Sequence, residues 1–140
     1  MAPGVLQQPV VLREAKLDDA EAITRLAESL GYSSTLQQVH ENLARRAADD
    51  HHCLLVALLP CVGVVGCPHV FRHELVACEP FAELGGVIVD EALRGRGIGE
   101  PLIEAARFWA KWQGATFLRV RTREDREAAH RFYCREGFDT

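Results

Sequence analysis

Lysine is nearly absent: the 140 residues hold 2 lysines against 14 arginines, so guanidinium supplies almost all the positive charge. That planar fork suits phosphates and carboxylates. An even cysteine count is also lacking, and Cys53, Cys61, Cys67, Cys78 and Cys134 contain no Cys-x-x-Cys pair, so neither a disulfide framework nor a zinc knuckle is indicated. Reduced thiols fit a cytosol, and a cytoplasmic protein is the expectation. His51-His52-Cys53 and the trio Cys67, His69, His73 offer metal-ligand types without a tetrahedral spacing, so no metal is expected. No apolar run reaches the roughly 20 residues of a membrane helix. The longest spans 53–68 and is interrupted by Pro60, which suggests two strands and a turn, with no membrane span. Residues 1–8 lack both a basic residue and an apolar stretch, and Ala2 stands where myristoylation needs glycine, so neither a signal peptide nor a lipid anchor is expected. A basic excess is missing too: the net charge of −4 argues against a nucleic-acid binder.

What is present is ordinary for one globular domain over 1–140, with 48% hydrophobic and 26% charged residues. Basic residues concentrate late, 5 in residues 1–70 and 11 in residues 71–140, which places anion binding in the second half.

A first strand is expected over Val10–Arg13. Asp18 with Glu21 has capping-box spacing and opens a helix that Gly31 stops. Ser34 and Gln37 repeat that signal for a second helix, on which Leu36, Val39, Leu43 and Ala47 recur. Cys53–Leu59 and Val62–Phe71 form a hairpin about Pro60-Cys61, and another strand covers Phe81–Val89. From Ile98 the pattern turns helical, with Ile98, Leu102, Ala105, Trp109 and Trp112 as the apolar stripe. After Gly114, Leu118 and Val120 alternate with Arg119 and Arg121 in a half-buried strand over Thr116–Thr122. A last helix runs from Asp125 to Glu136, closed by Gly137. The strand–helix–strand order after residue 81 implies a parallel crossover.

The densest chemical signal is Val87-Ile88-Val89, a short acidic turn, then Arg94-Gly95-Arg96-Gly97-Ile98-Gly99 opening a helix. Free amides and the helix dipole converge there, as a phosphate or pyrophosphate requires. The lysine and hydroxyl of a P-loop are missing, and so is the third glycine of a dinucleotide fingerprint. What matches is Arg/Gln-x-x-Gly-x-Gly/Ala, met by Arg94, Gly97 and Gly99. Phe132-Tyr133-Cys134-Arg135-Glu136-Gly137-Phe138 follows at the appropriate separation. With both motifs, the chain resembles the GNAT family of N-acetyltransferases, most strongly over Phe81–Phe138.

The resemblance implies an α/β fold with a mixed, mostly antiparallel sheet, a central parallel strand pair and flanking helices, one strand short at the C-terminus. It implies acetyl-CoA as co-substrate, no metal, and transfer of acetyl to a primary amine, small-molecule or peptide, by direct attack. The loop from Arg94 to Gly99 would hold the pyrophosphate and the backbone of Val87, Ile88 and Val89 the pantetheine arm. Tyr133 matches the general acid, and Glu83 is the candidate base. Arg126 stands where many members have a cofactor-touching asparagine, seven residues before the tyrosine. If Glu83 alternates with Gly85 and Val87, all three share one side. Arg119, Arg121 and Arg123 read as a solvated face, and His69 and His73 as facing substrate or solvent. No serine or cysteine is paired with a histidine and an acid at recognisable spacing, so an acyl-enzyme is not expected. Pairing into a homodimer is expected of an exposed sheet edge. The competing reading is a catalytically weak acyl-CoA-binding sensor or interaction module; a third is transfer of a longer acyl chain.

Overall fold

Strand-forming and helix-forming stretches succeed one another as β1 (Val11–Glu14), α1 (Ala20–Ser29), α2 (Leu36–Arg46), β2 (His52–Leu59), β3 (Gly63–His73), β4 (Phe81–Val89), α3 (Gly99–Trp112) and β5 (Leu118–Val120). The computed structural model describes residues 10–29, 31–89, 99–120 and 137. The expected helix over 125–136, the segment 121–122 of the last strand and the chain end, expected to lack the family's further strand, lie outside these. The five described strands form one sheet in the order β1-β2-β3-β4-β5. The first three pairings are antiparallel, whereas β4 and β5 run parallel, as their connection through α3 requires.

The helix starts differ from expectation by one residue. Thr35, not Ser34, caps α2: its hydroxyl accepts from the Gln38 amide at 3.1 Å, and the Gln38 side chain accepts from the Thr35 amide at 2.8 Å. Both residue pairs have the same spacing, so the sequence cannot choose between them. The choice falls to packing, which turns Leu43 inward. Ahead of α1 a single 3-10 turn covers Leu17–Asp19, and the reaching-back carboxylate is that of Asp19, which accepts from the Lys16 amide at 2.7 Å. Helices α1 and α3 both end on a left-handed glycine, Gly31 at φ 88° and Gly114 at φ 77°.

The sheet separates two packed faces. On one, α3 buries Leu102 against Ala57, Leu59 and Val65, and Ile103, Ala106 and Ala110 against Val70, Ala82 and Leu84. The buried stripe of α3 is Leu102, Ile103, Ala106 and Ala110; of the expected set Leu102 is buried, Trp109 packs against the core and Trp112 is 76% exposed, while Ile98 lies outside the described residues. Small alanines let the helix lie close to the sheet and leave Trp112 outward. On the other face, α1 and α2 cover Val56 and Cys67 with Ala20, Ile23 and Leu43.

Two register shifts adjust the faces: one between Ala57 and Leu58 of β2, the other between His69 and Val70 of β3. In the second, His69 pairs with Gly86 and Val70 with Leu84, leaving Gly85 as the extra residue of a β-bulge.

Candidate functional site

Alternation along β3, β4 and β5 collects one polar and aromatic patch on the face opposite α3. Phe71, Glu83 and Arg119 lie side by side across the three strands, and His73 sits opposite Phe81 one step away. The rings of His73 and Phe81 stack at 4.7 Å between centroids, and Phe81 stacks on Phe117 at 4.9 Å. Phe71 closes the other side, 5.0 Å from His73. These rings wall off Glu83, which is only 4% exposed.

Arg119 partners that carboxylate. Its Nε donates to Glu83 Oε1 at 3.0 Å and its Nη2 donates to the same oxygen. The guanidinium lies over the Phe81 ring, 5.0 Å from its centroid, and 46% of the side chain remains exposed. Arg119 is exposed, as a solvated face implies, and in addition the parallel register sets it opposite Glu83, where a buried carboxylate without a cation would carry a large desolvation penalty. His73 Nε2 lies 3.4 Å from Glu83 Oε1 and is buried without a directed hydrogen bond among the described residues.

A histidine pair continues the strip. His52 Nδ1 and His69 Nε2 are 2.9 Å apart, with the His69 ring also packed on Phe71. Burial pushes His69 down to about 4, reinforced by His52 and Arg46, and lowers His52 as well. His69 is thus half-buried and hydrogen-bonded to His52, on the same face of β3 as Phe71 and His73. Burial likewise pushes the thiols of Cys53 and Cys67 up, to about 11 and about 12, which keeps both protonated and unreactive.

The edge of β4 next to β5 is the second element of the site. Among the described residues, β5 pairs only with Ala82, Glu83 and Leu84, whereas β4 continues to Val89. Val87, Ile88 and Val89 are strand backbone, paired on their other edge with Pro68, Cys67 and Gly66. The bulge at exposed Gly85 breaks the strict alternation on which a shared side for Glu83, Gly85 and Val87 depended. A Cβ at Gly85 would lie 3.3 Å from Phe71 Cε1, so glycine suits the close approach there. Of the expected pyrophosphate loop, Gly99 is the first residue of α3. Arg94, Gly95, Arg96, Gly97, Ile98, Arg126 and Tyr133 lie outside the described residues. Gly137 has φ 94°, the left-handed conformation expected of a helix-stopping glycine.

The sequence marks Glu83 as a candidate but not the approach of Arg119 and His73 to it. The signal available was the placement of aromatics and charges at the starts of β4 and β5, which becomes a site only once the register is known. A shallow groove lies apart, between the starts of α1 and α2, lined by Asp18, Glu21, Leu36, Gln37 and His40 among others. Among the described residues no cluster of His, Cys, Asp or Glu is placed to hold a metal, and no helix is long and apolar enough to cross a membrane.

The fold is thus a mixed sheet with a parallel pair at β4-β5, in which no described strand pairs with that edge of β4 beyond Leu84. Residues 18–138 match the model of the acetyltransferase (GNAT) family, and the chain belongs to that family. A curated relative, the aminoalkylphosphonate N-acetyltransferase of Salmonella typhimurium, is 29% identical over 130 residues, covering 91% of this chain and 83% of the relative. A solved structure described as a transcriptional regulator from Bacillus halodurans is 26% identical with a TM-score of 0.80, covering 94% of each chain. An aminoglycoside N-acetyltransferase in complex with CoA shares the fold at a TM-score of 0.83 and 17% identity, over all of this chain and 93% of the other. The chain is an acetyltransferase, with the acetyl-CoA donor of its family. The described residues fit such a donor: β4 beyond Leu84 offers backbone groups that no described strand uses, next to a bulge without a side chain.

Proposed function

We propose that the chain transfers acetyl from acetyl-CoA to a primary amine by direct attack of the amine nitrogen. The observation that carries this reading is Glu83, a buried carboxylate two residues before the Gly85 bulge, next to the open edge of β4. Acetyl-CoA supplies an activated thioester. The chain positions it through the amides of the loop from Arg94 to Gly99, with Arg94, Arg96 and Arg126 toward the phosphates, and through the backbone of Val87 to Val89. An alkyl ammonium has a pKa of about 10.4, so the amine needs a proton acceptor before its lone pair can form the new C–N bond, and Glu83 accepts that proton. As the C–S bond breaks, the Tyr133 phenol donates its proton to the leaving sulfur. The acceptor is a small-molecule amine, in keeping with the activity named for the Salmonella relative.

A second reading has its own support. Glu83 is already engaged by Arg119, and the Bacillus structure is described as a regulator. A domain that binds acyl-CoA with weak turnover would show both features. Release of CoA measured against a panel of primary amines separates the two readings: turnover on at least one amine is expected, and tight CoA binding without any turnover would favour the sensor. Tyr133→Phe should lower kcat by about 10²-fold or more with CoA affinity retained. Unchanged kcat would remove Tyr133 from the mechanism.

A further inference from the structure

The Glu83–Arg119 pair is asymmetric. The carboxylate is fixed on β4 beneath a wall of rings, while nearly half of the guanidinium side chain is exposed on β5. An amine that approaches Glu83 from this face meets Arg119 first. Displacing the guanidinium with a simple ammonium exchanges one cation for another on the carboxylate and leaves Arg119 without its anion. A molecule that brings both charges avoids that loss, because each half of the existing pair finds a new partner.

We propose that the acceptor is a short zwitterion, a primary amine joined by a few atoms to a phosphonate or carboxylate. Its ammonium takes the place of Arg119 on Glu83, and its anion takes the place of Glu83 on Arg119. This rests on the reading of the chain as an amine acetyltransferase with Glu83 at the amine. Three observations of the structure support it, beside the charge of the chain and the activity named for a relative. The Glu83 and Arg119 backbones are directly opposed on neighbouring strands, which limits the span between the two charges to a few ångströms. The guanidinium rests on the Phe81 ring, itself stacked on Phe117, so it can shift across an aromatic surface without losing its support. His73 Nε2, 3.4 Å from Glu83 Oε1 and without a directed hydrogen bond, stays beside the carboxylate when Arg119 leaves. The net charge of −4 repels anions at long range, so an anionic acceptor needs a local cation such as Arg119. The activity named for the Salmonella relative involves this class of compound, an amine and an anion on an alkyl chain.

The test uses the full chain with acetyl-CoA and three acceptors of similar length: 3-aminopropylphosphonate, 4-aminobutyrate and n-butylamine. The zwitterions should exceed n-butylamine in kcat/KM by about tenfold or more, and Arg119→Gln should bring the ratio close to one. The ratio is the informative readout, since a purely structural loss lowers all three acceptors together. Equal values in the wild type, or a ratio that Arg119→Gln leaves intact, would overturn the proposal. The two zwitterions distinguish phosphonate from carboxylate. Should none of the three turn over while CoA binds, the acetyl-transfer reading fails, and calorimetry still decides this one. In that case 3-aminopropylphosphonate should bind the wild type about tenfold more tightly than Arg119→Gln, and equal affinity would overturn the proposal.

Discussion

Two arginine–carboxylate pairs in this fold use the same chemistry differently. Asp19 receives Arg13 through both oxygens, at 2.8 and 2.9 Å, and also accepts the Lys16 amide, so its carboxylate ties β1 to the turn before α1. The Arg13 hydrogen bonds hold Asp19 below the usual aspartate range. At Glu83, Arg119 and His73 both approach a single oxygen, on the face that carries the stacked rings. The Arg13 pair fastens neighbouring chain segments; the Arg119 pair covers a group that the proposed chemistry needs. Glu83→Gln keeps the shape and the hydrogen-bonding oxygen while removing the charge and the basicity. It should lower kcat/KM by about 10²- to 10³-fold at pH 7, with a smaller deficit at higher pH, where more of the amine is already neutral. Steady-state CoA release across pH 7 to 9.5 checks this, and a parallel profile for both proteins would take the proton-acceptor role from Glu83.

At the scale of elements, the sequence was legible where one period dominated. The bounds of β4, Phe81–Val89, coincide with the expectation, because the run lies between Pro80 and the glycine-rich loop and carries Phe81 at one end and Val87-Ile88-Val89 at the other. The hairpin is equally plain, with Cys61 at φ 67° in its turn. Two features were hidden. A bulge depends on which residue of the partner strand is skipped, so Gly85 could be read as a weak strand residue but not as the point where alternation breaks. The inward stripe of α3 depends on how the helix is turned on the sheet: Ala106 and Ala110 are buried with Trp109 packed at their side, while Trp112 is left exposed. Register also explains the site: Glu83 stood out from its neighbours in sequence, but Arg119 lies 36 positions away and becomes its partner only through the parallel β4-β5 pairing. The α2 cap gives a sharp element-scale test, since two overlapping capping boxes were available. Thr35→Ala should destabilise the fold by about 1 kcal/mol, whereas Ser34→Ala should stay within about 0.5 kcal/mol. Urea denaturation of both variants measures it, and the reverse order would move the cap to Ser34.

Considered whole, the molecule spends its two sheet faces differently. The α3 face is packed with aliphatic side chains, while the opposite face begins apolar beneath α1 and α2 and grades into histidines, phenylalanines and finally the Glu83–Arg119 pair. That gradient makes stability depend on pH through its middle. His69 titrates near 6.5 when exposed and near about 4 in the fold, because burial disfavours its charged ring and His52 and Arg46 repel it. The unfolded chain therefore takes up this proton first, so stability is flat above about pH 6.5 and falls as the pH drops toward about 4. The full shift would correspond to about 3 kcal/mol; partial solvent screening of a half-buried ring reduces the expected loss to about 2 kcal/mol between pH 7.5 and 4.5. His52 is lowered in the same direction and contributes to the same window. The His69 share is isolated by comparing the wild type with His69→Leu by chemical denaturation at pH 7.5, 6.0 and 4.5. The variant should be less stable at pH 7.5, having lost the His52 hydrogen bond, yet decline less steeply as the pH falls, so that the two curves converge. Curves that stay parallel would show that His69 takes up its proton at the same pH folded and unfolded, so that its ring is not held neutral by the packing described here.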